Sequence, residues 1–131
     1  MNLSGWSPFL LSILRIMAGA LFIEHGMSKV FGIPAPMGGG HPLTGMVAAS
    51  AYIELIGGGL ILLGLFTRFA AFICSGEMAV AYFTAHAPKG FWPMTGGGNG
   101  GELAVLYCFV FLYLVFAGSG PISIDRLRGK S

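Results

Sequence analysis

Charge is what this chain has least of. Only 9% of its 131 residues are Asp, Glu, Lys or Arg, against about 25% in an ordinary soluble domain. A soluble fold of this length could not cover its surface with so few charges, because a small domain leaves much of its chain exposed. The soluble globular class is therefore excluded. Disorder is excluded by the same composition, since 55% of the residues are hydrophobic and disordered chains combine low hydrophobicity with high charge. The net charge is only +2 and no Lys/Arg cluster forms a phosphate-binding stripe, which speaks against nucleic acid as a partner. Cysteine is scarce too. Cys74 and Cys108 both lie inside apolar runs without CxxC spacing, and read as small core residues rather than a disulfide or a metal pair.

What the chain does have is long apolar stretches. A membrane helix needs about 20 mostly apolar residues, and four stretches qualify, at about 8–31, 43–66, 68–87 and 101–117. Pro8 suits the first turn of the first helix, Pro88 ends the third, and the run Gly118, Ser119, Gly120, Pro121 ends the fourth. A cleaved signal is a poor account of the first stretch. It has no basic n-region and no A-x-A site, and it carries Arg15, Glu24 and His25. The predicted fold is an all-α polytopic membrane protein, one four-transmembrane-helix bundle with long loops at 32–42 and 88–100 and a tail at 118–131. The lipid bilayer is its first partner.

Four spans place both termini and the turn at Thr67 and Arg68 on one side. That side carries Arg15, Arg68, Arg126, Arg128 and Lys130, against Lys29 and Lys89 on the other. The positive-inside rule then puts both termini in the cytoplasm and the long loops outside. Glycine triplets at 38–40 and 96–98 fall in the loops, where they suit tight or flexible backbone. The triplet at 57–59 lies inside helix two and reads as a close-packing surface, which leaves room for a homo-oligomer without requiring one.

Ionisable residues at membrane depth cost about 2.5–3.5 kcal/mol each on insertion scales and need a partner or a purpose. Glu54 and Glu77 fall near the midpoints of helices two and three, and Arg15 lies within roughly 7 Å of the midplane. The simplest arrangement pairs Arg15 with Glu54, Glu77 or both. It leaves one carboxylate in excess, which would hold a proton. Such a triad is either inert bundle glue or a proton-handling site beside a redox cofactor, and Tyr52, Tyr82 and Tyr107 could add hydroxyls to either.

A second polar group gathers toward the long loops: Glu24, His25, His86 and Glu102, with His41, Lys89, Trp92 and Asn99 from the loops. His25 shares a helix side with Lys29 at i+4 and is expected to face the interior. Two histidines on different helices could hold a haem axially, and histidine with Glu102 could bind a divalent metal. No E-x-x-H pair supports either. A quinone head group suits the set better: His25 as hydrogen-bond donor, a carboxylate for the proton, and walls from Phe22, Tyr82, Phe83, Phe91 and Trp92. Trp92 also fits an interfacial anchor.

The order and spacing of these residues resemble the DoxX family. Arg15, Gly19, Phe22, His25, Gly26 and Lys29 read as R-x3-G-x2-F-x2-H-G-x2-K. The resemblance continues through Glu54, Gly57, Gly58, Leu60, Gly64, Leu65, Thr67 and Arg68. It then runs through Glu77, Met78, Ala79, Tyr82, Phe83, His86 and Pro88 to Asn99, Gly100, Gly101, Glu102 and the tail from Gly118 to Asp125. It implies a small four-helix inner-membrane protein, similar to the membrane subunit of an archaeal thiosulfate:quinone oxidoreductase, in a family associated with quinone and oxidative-stress responses. The chain itself has no dinucleotide fingerprint, no CxxC and no c-type haem motif, so a redox partner subunit or a bound quinone would carry the electrons.

Two functions follow as expectations. In the first, the chain is a quinone-interacting redox subunit, with Arg15, Glu54 and Glu77 as its catalytic group and His25, Tyr82, His86, Trp92 and Glu102 holding the cofactor. In the second, it is a non-catalytic membrane scaffold, whose polar triad fixes helix register and whose loops bind another protein.

Overall fold

The fold was obtained as a computed structural model, which describes residues 2–36, 42–94 and 98–130. Helices are its only regular elements among the described residues. Four long ones form the body: α1 (Ser7–Val30), α2 (Gly45–Leu63), α3 (Thr67–Ala81) and α4 (Glu102–Ala117). A short α5 (Ile124–Leu127) lies in the tail, and a 3-10 turn (Leu3–Trp6) precedes α1.

Local chemistry sets the ends. Pro8 sits in the first turn of α1, where its missing N–H costs nothing. Gly64 closes α2 in the left-handed conformation, φ +68°, which only glycine adopts readily. α3 runs on beyond Ala81 through a π turn (Tyr82–His86) and a 3-10 turn (Ala87–Lys89), so the helix expected to stop against Pro88 first widens and then tightens before it ends. Such π turns recur at functional sites.

α1 packs along α2, α3 along α4, and a lighter contact joins α2 to α3. The α1–α2 seam is backbone against backbone. A Cβ on Gly19 would come within 2.6 Å of the Leu62 nitrogen, and one on Gly26 within 2.9 Å of the Ala51 carbonyl oxygen. Gly58 meets α1 from the other side at the Ile23 nitrogen, 3.0 Å, and Gly57 leaves room for Cys74 of α3. Two members of the 57–59 triplet therefore serve packing, while Gly59 faces open space. α1 reaches α4 through rings: Phe22 lies edge-on to Phe111 at 4.8 Å, and Tyr107 stacks on Phe111 at 5.5 Å. Cys74 is fully buried and both cysteines are free thiols.

The outward faces are apolar. Leu10, Leu14, Met17 and Leu21 of α1, Phe69, Phe72 and Val80 of α3, and Leu106, Phe109 and Phe116 of α4 are all exposed. A belt of that extent belongs in lipid, not water. Two helical stretches are long and apolar enough to cross a bilayer, Leu3–Val30 with mean hydropathy 1.7 and Gly45–Leu63 with 1.9, and α4 is a shorter apolar helix.

The tail is folded into the body. Its Asp125 carboxylate accepts hydrogen bonds from the Phe66 and Thr67 backbone N–H groups, each 2.9 Å, at the start of α3. The Asp125 N–H donates to the Gly64 carbonyl at 2.8 Å. Burial pushes the Asp125 carboxyl up, but the Thr67 and Phe66 N–H groups, helped by Arg128, outweigh it and hold the group below its ordinary range. Arg68 donates to the Val115 and Phe116 carbonyls and covers the end of α4.

Candidate functional site

A cavity of about 720 Å³ lies among the four helices, in the half of the body nearest the long loops. Helical spacing brings its polar residues together. His25 and Lys29 share one side of α1 with Phe22, and Ser50 and Glu54 share one side of α2, each pair at i,i+4. α3 adds Glu77, α4 adds Tyr107, and the π turn adds His86. Ile53, Ile73, Met78 and Leu103 supply apolar wall.

The charged residues form one network. The Lys29 ammonium donates to Glu54 Oε1 at 2.8 Å and to Ser50 Oγ at 2.8 Å. Ser50 in turn donates to Glu77 Oε1 at 2.7 Å. Glu54 is 1% exposed, so its charge is held almost wholly inside the protein. The second oxygens, Glu54 Oε2 and Glu77 Oε2, are buried with no partner among the described residues. Buried polar atoms are nearly always satisfied, so these two mark where something else belongs. One ammonium against two carboxylates also leaves one negative charge in excess.

The histidines are committed through one nitrogen each. His25 Nδ1 lies 2.9 Å from the Leu21 carbonyl, and His86 Nδ1 lies 3.0 Å from the Asn99 carbonyl. A carbonyl only accepts, so Nδ1 carries the proton in both rings. With Nδ1 so engaged, Nε2 is the ring nitrogen left for a ligand, an acceptor in a neutral ring and a donor in a protonated one. His25 does face inward as expected, edge-on to Tyr107 at 5.8 Å.

Arg15 requires a larger correction. It is 1% exposed but pairs with neither glutamate. Its guanidinium donates to the carbonyls of Ile61 (2.5 Å), Leu62 (2.6 Å), Ser119 (2.8 Å) and Ile122. Those are the last turn of α2 and the tail, at the opposite end from the cavity. The planar fork with five N–H donors suits a cluster of carbonyls that one carboxylate could not supply. Lys29 takes the place that the sequence reading gave to Arg15.

Tyr82, Phe83, Phe91, Trp92 and Glu102, five more residues expected around a ligand, also lie off the cavity lining. The Tyr82 hydroxyl donates to the Phe91 carbonyl and accepts from Asn99 Nδ2, clamping the loop after α3. Asn99, 3% exposed, also holds the Gly90 carbonyl and the Gly101 N–H, so it is the hub of that loop. Trp92 is 69% exposed and meets Phe91 edge-on at 5.1 Å, and Glu102 is exposed at the start of α4. His41 falls outside the described residues. Among the described residues no group of three or more His, Cys, Asp or Glu is placed to hold a metal ion. Ser50 escaped the sequence reading, although its i−4 spacing from Glu54 was a signal.

The fold and cavity define a class: an all-helical protein with a lipid-facing belt and a charged network within its helices. A family model described as DoxX matches residues 10–87, more than half of the chain. The chain belongs to the DoxX family. It is 47% identical over 130 residues to an uncharacterised protein of Haemophilus influenzae, with 95% of each chain covered. It is 30% identical to an uncharacterised membrane protein of Mycobacterium tuberculosis, over 89% of this chain and 80% of that one. It is also 30% identical to a Bacillus subtilis protein named "Putative oxidoreductase CatD", over 90% and 87% respectively. No solved structure matches the chain. Family, relatives and apolar belt agree that this is a membrane protein.

Proposed function

We propose that the chain is the quinone-binding membrane component of a redox system, with the quinone ring held in the cavity between the four helices. The observation that carries this reading is the Lys29–Glu54–Ser50–Glu77 network, whose two orphaned carboxylate oxygens belong to residues lining a largely apolar cavity. A volume near 720 Å³ is in the range of small-molecule sites, about 300–1,000 Å³. Hydrophobic walls suit a lipid-soluble ring, and few polar groups suit its two oxygens. The name of the Bacillus subtilis relative favours the oxidoreductase class.

The bound quinone would supply two-electron, two-proton chemistry that side chains lack. The residues handle position and protons. Lys29, with one N–H beyond those given to Ser50 and Glu54, and the Tyr107 hydroxyl are the donors to a ring oxygen. Glu77 Oε2 and Glu54 Oε2 are where a proton is held, and Ser50 couples the two carboxyls. His25 and His86 present Nε2 as acceptors. Arg15 is a positioning residue at most, since it lies at the other end of the helices. Electrons enter or leave through a partner subunit that shares the membrane.

The same reading places the chain in the inner membrane as four spans, with the third and fourth completed by the turns flanking α3 and α4. Arg68, Arg126, Arg128 and Lys130 lie with Arg15 at the tail end, and that asymmetry supports cytoplasmic termini. Reporter fusions at each terminus test it, and a periplasmic signal from either would refute it.

The functional test is an inventory of protein purified in mild detergent. Mass spectrometry of the extracted lipids should find quinone in the wild type and markedly less in Tyr107→Phe of equal yield, which keeps the ring and removes a donor. Folded wild type that carries no quinone and takes up none when it is added would refute the assignment and favour the scaffold.

A further inference from the structure

The groups that face the cavity are unevenly divided between donors and acceptors, and the imbalance bears on which redox form of the ligand it prefers. Both histidines have Nδ1 tied to a carbonyl, which leaves Nε2 as an acceptor in each neutral ring. Glu54, paired with Lys29 through Oε1, presents Oε2, and Glu77 presents a second carboxyl oxygen, each an acceptor when it carries no proton. Against these four stand two donors, the remaining Lys29 N–H and the Tyr107 hydroxyl. Protonation of Glu77 evens the count at three each, and the remaining acceptors, Glu54 and the two imidazoles, still find no donor on a quinone.

A quinone offers two carbonyl oxygens, which only accept. It can use Lys29 and Tyr107, but it displaces water from the cavity acceptors and gives them nothing back. A hydroquinone offers two hydroxyls, each able to donate to a carboxylate or imidazole while still accepting from Lys29 or Tyr107. A buried acceptor left unsatisfied is penalised, and each 1.4 kcal/mol of such penalty is tenfold in affinity. We propose that the cavity binds the hydroquinone in preference to the quinone, with Glu54, Glu77, His25 and His86 as the residues that set this preference. The inference rests on the proposed quinone site and adds its redox polarity.

The test is anaerobic binding of one short-chain benzoquinone and its reduced hydroquinone to the full chain in lipid nanodiscs, by equilibrium dialysis. The expected result is at least about tenfold tighter binding of the hydroquinone, equivalent to a midpoint potential about 30 mV more positive when bound. Glu77→Gln, which turns an acceptor oxygen into an amide donor at the same size, should narrow the ratio severalfold. His25→Phe, which keeps the ring and removes Nε2, should narrow it too. Equal or tighter binding of the quinone by the wild type overturns the inference and leaves the quinone site standing. Binding of neither form overturns both. If a variant fails to fold, the wild-type ratio alone decides.

Discussion

Replacing Arg15 by methionine separates the observed architecture from a buried Arg–Glu triad more sharply than any other change. Arg15 donates to four carbonyls, two in the last turn of α2 and two in the tail, and it is nearly inaccessible to solvent. Hydrogen bonds from a charged group contribute about 1.5–3 kcal/mol each at most, and freed carbonyls near the tail end recover some water. The net loss is expected to be about 3–5 kcal/mol, concentrated on the docking of residues 118–130. Thermal unfolding in detergent should fall steeply, and limited proteolysis should clip the tail before the helices. Ile61 and Leu62 lie seven and eight positions beyond Glu54 on α2, which is roughly 10–12 Å along the axis. Arg15→Met and Glu54→Gln should therefore add within about 0.5 kcal/mol. A coupling energy above about 1 kcal/mol, or an intact tail in Arg15→Met, would refute the assignment of Arg15 to the tail.

Other outcomes follow from the same contacts. Lys29→Met strands the buried Glu54 carboxylate and should cost about 3–5 kcal/mol, with much of it regained in Lys29→Met/Glu54→Gln, as read by melting temperature. Gly19→Ala forces a methyl against the α2 backbone and should lower yield and melting temperature, whereas Gly59→Ala, which meets nothing, should be neutral or stabilising by up to about 1 kcal/mol. The depressed Asp125 carboxyl stabilises the docked tail fully above its unfolded value, about pH 4, and that stabilisation is lost as pH falls through the lower folded value. Protease protection of the tail should therefore decline below pH 4, and Asp125→Ala, which loses the cap of α3 at a cost of about 1–2 kcal/mol, should remove that pH dependence.

Much of the fold was legible because lipid imposes a coarse rule. Long apolar runs with few charges must be helical, and proline and glycine mark where they stop. Gly64 and Gly118 end α2 and α4 close to where they were expected, while the π turn at Tyr82–His86 carried no sequence signal because it depends on how the end of α3 packs. The site was legible in its membership more than in its pairing. Glu54, Glu77, His25 and His86 do line one cavity. The partner of the carboxylates was misassigned to Arg15 on depth along the helix alone, with Lys29 counted only among the charges of the outer side. Depth along a helix ignores that a lysine stem reaches several ångströms inward to its partner, whereas an arginine near the other end finds backbone carbonyls first. Asn99 and Tyr82 show the complementary error, polar residues expected near the ligand that instead fold a loop.

The most direct measurement of the central claim is photolabelling of the full chain in nanodiscs with a short-chain azidoquinone, followed by peptide mapping. Labels should fall on the α1 segment around His25 and Lys29, the α2 segment around Ser50 and Glu54, and the α3 segment from Glu77 to His86, and unlabelled quinone should compete them away. Labels confined to the lipid-facing surface, or labelling that no competitor reduces, would contradict a quinone site in this cavity.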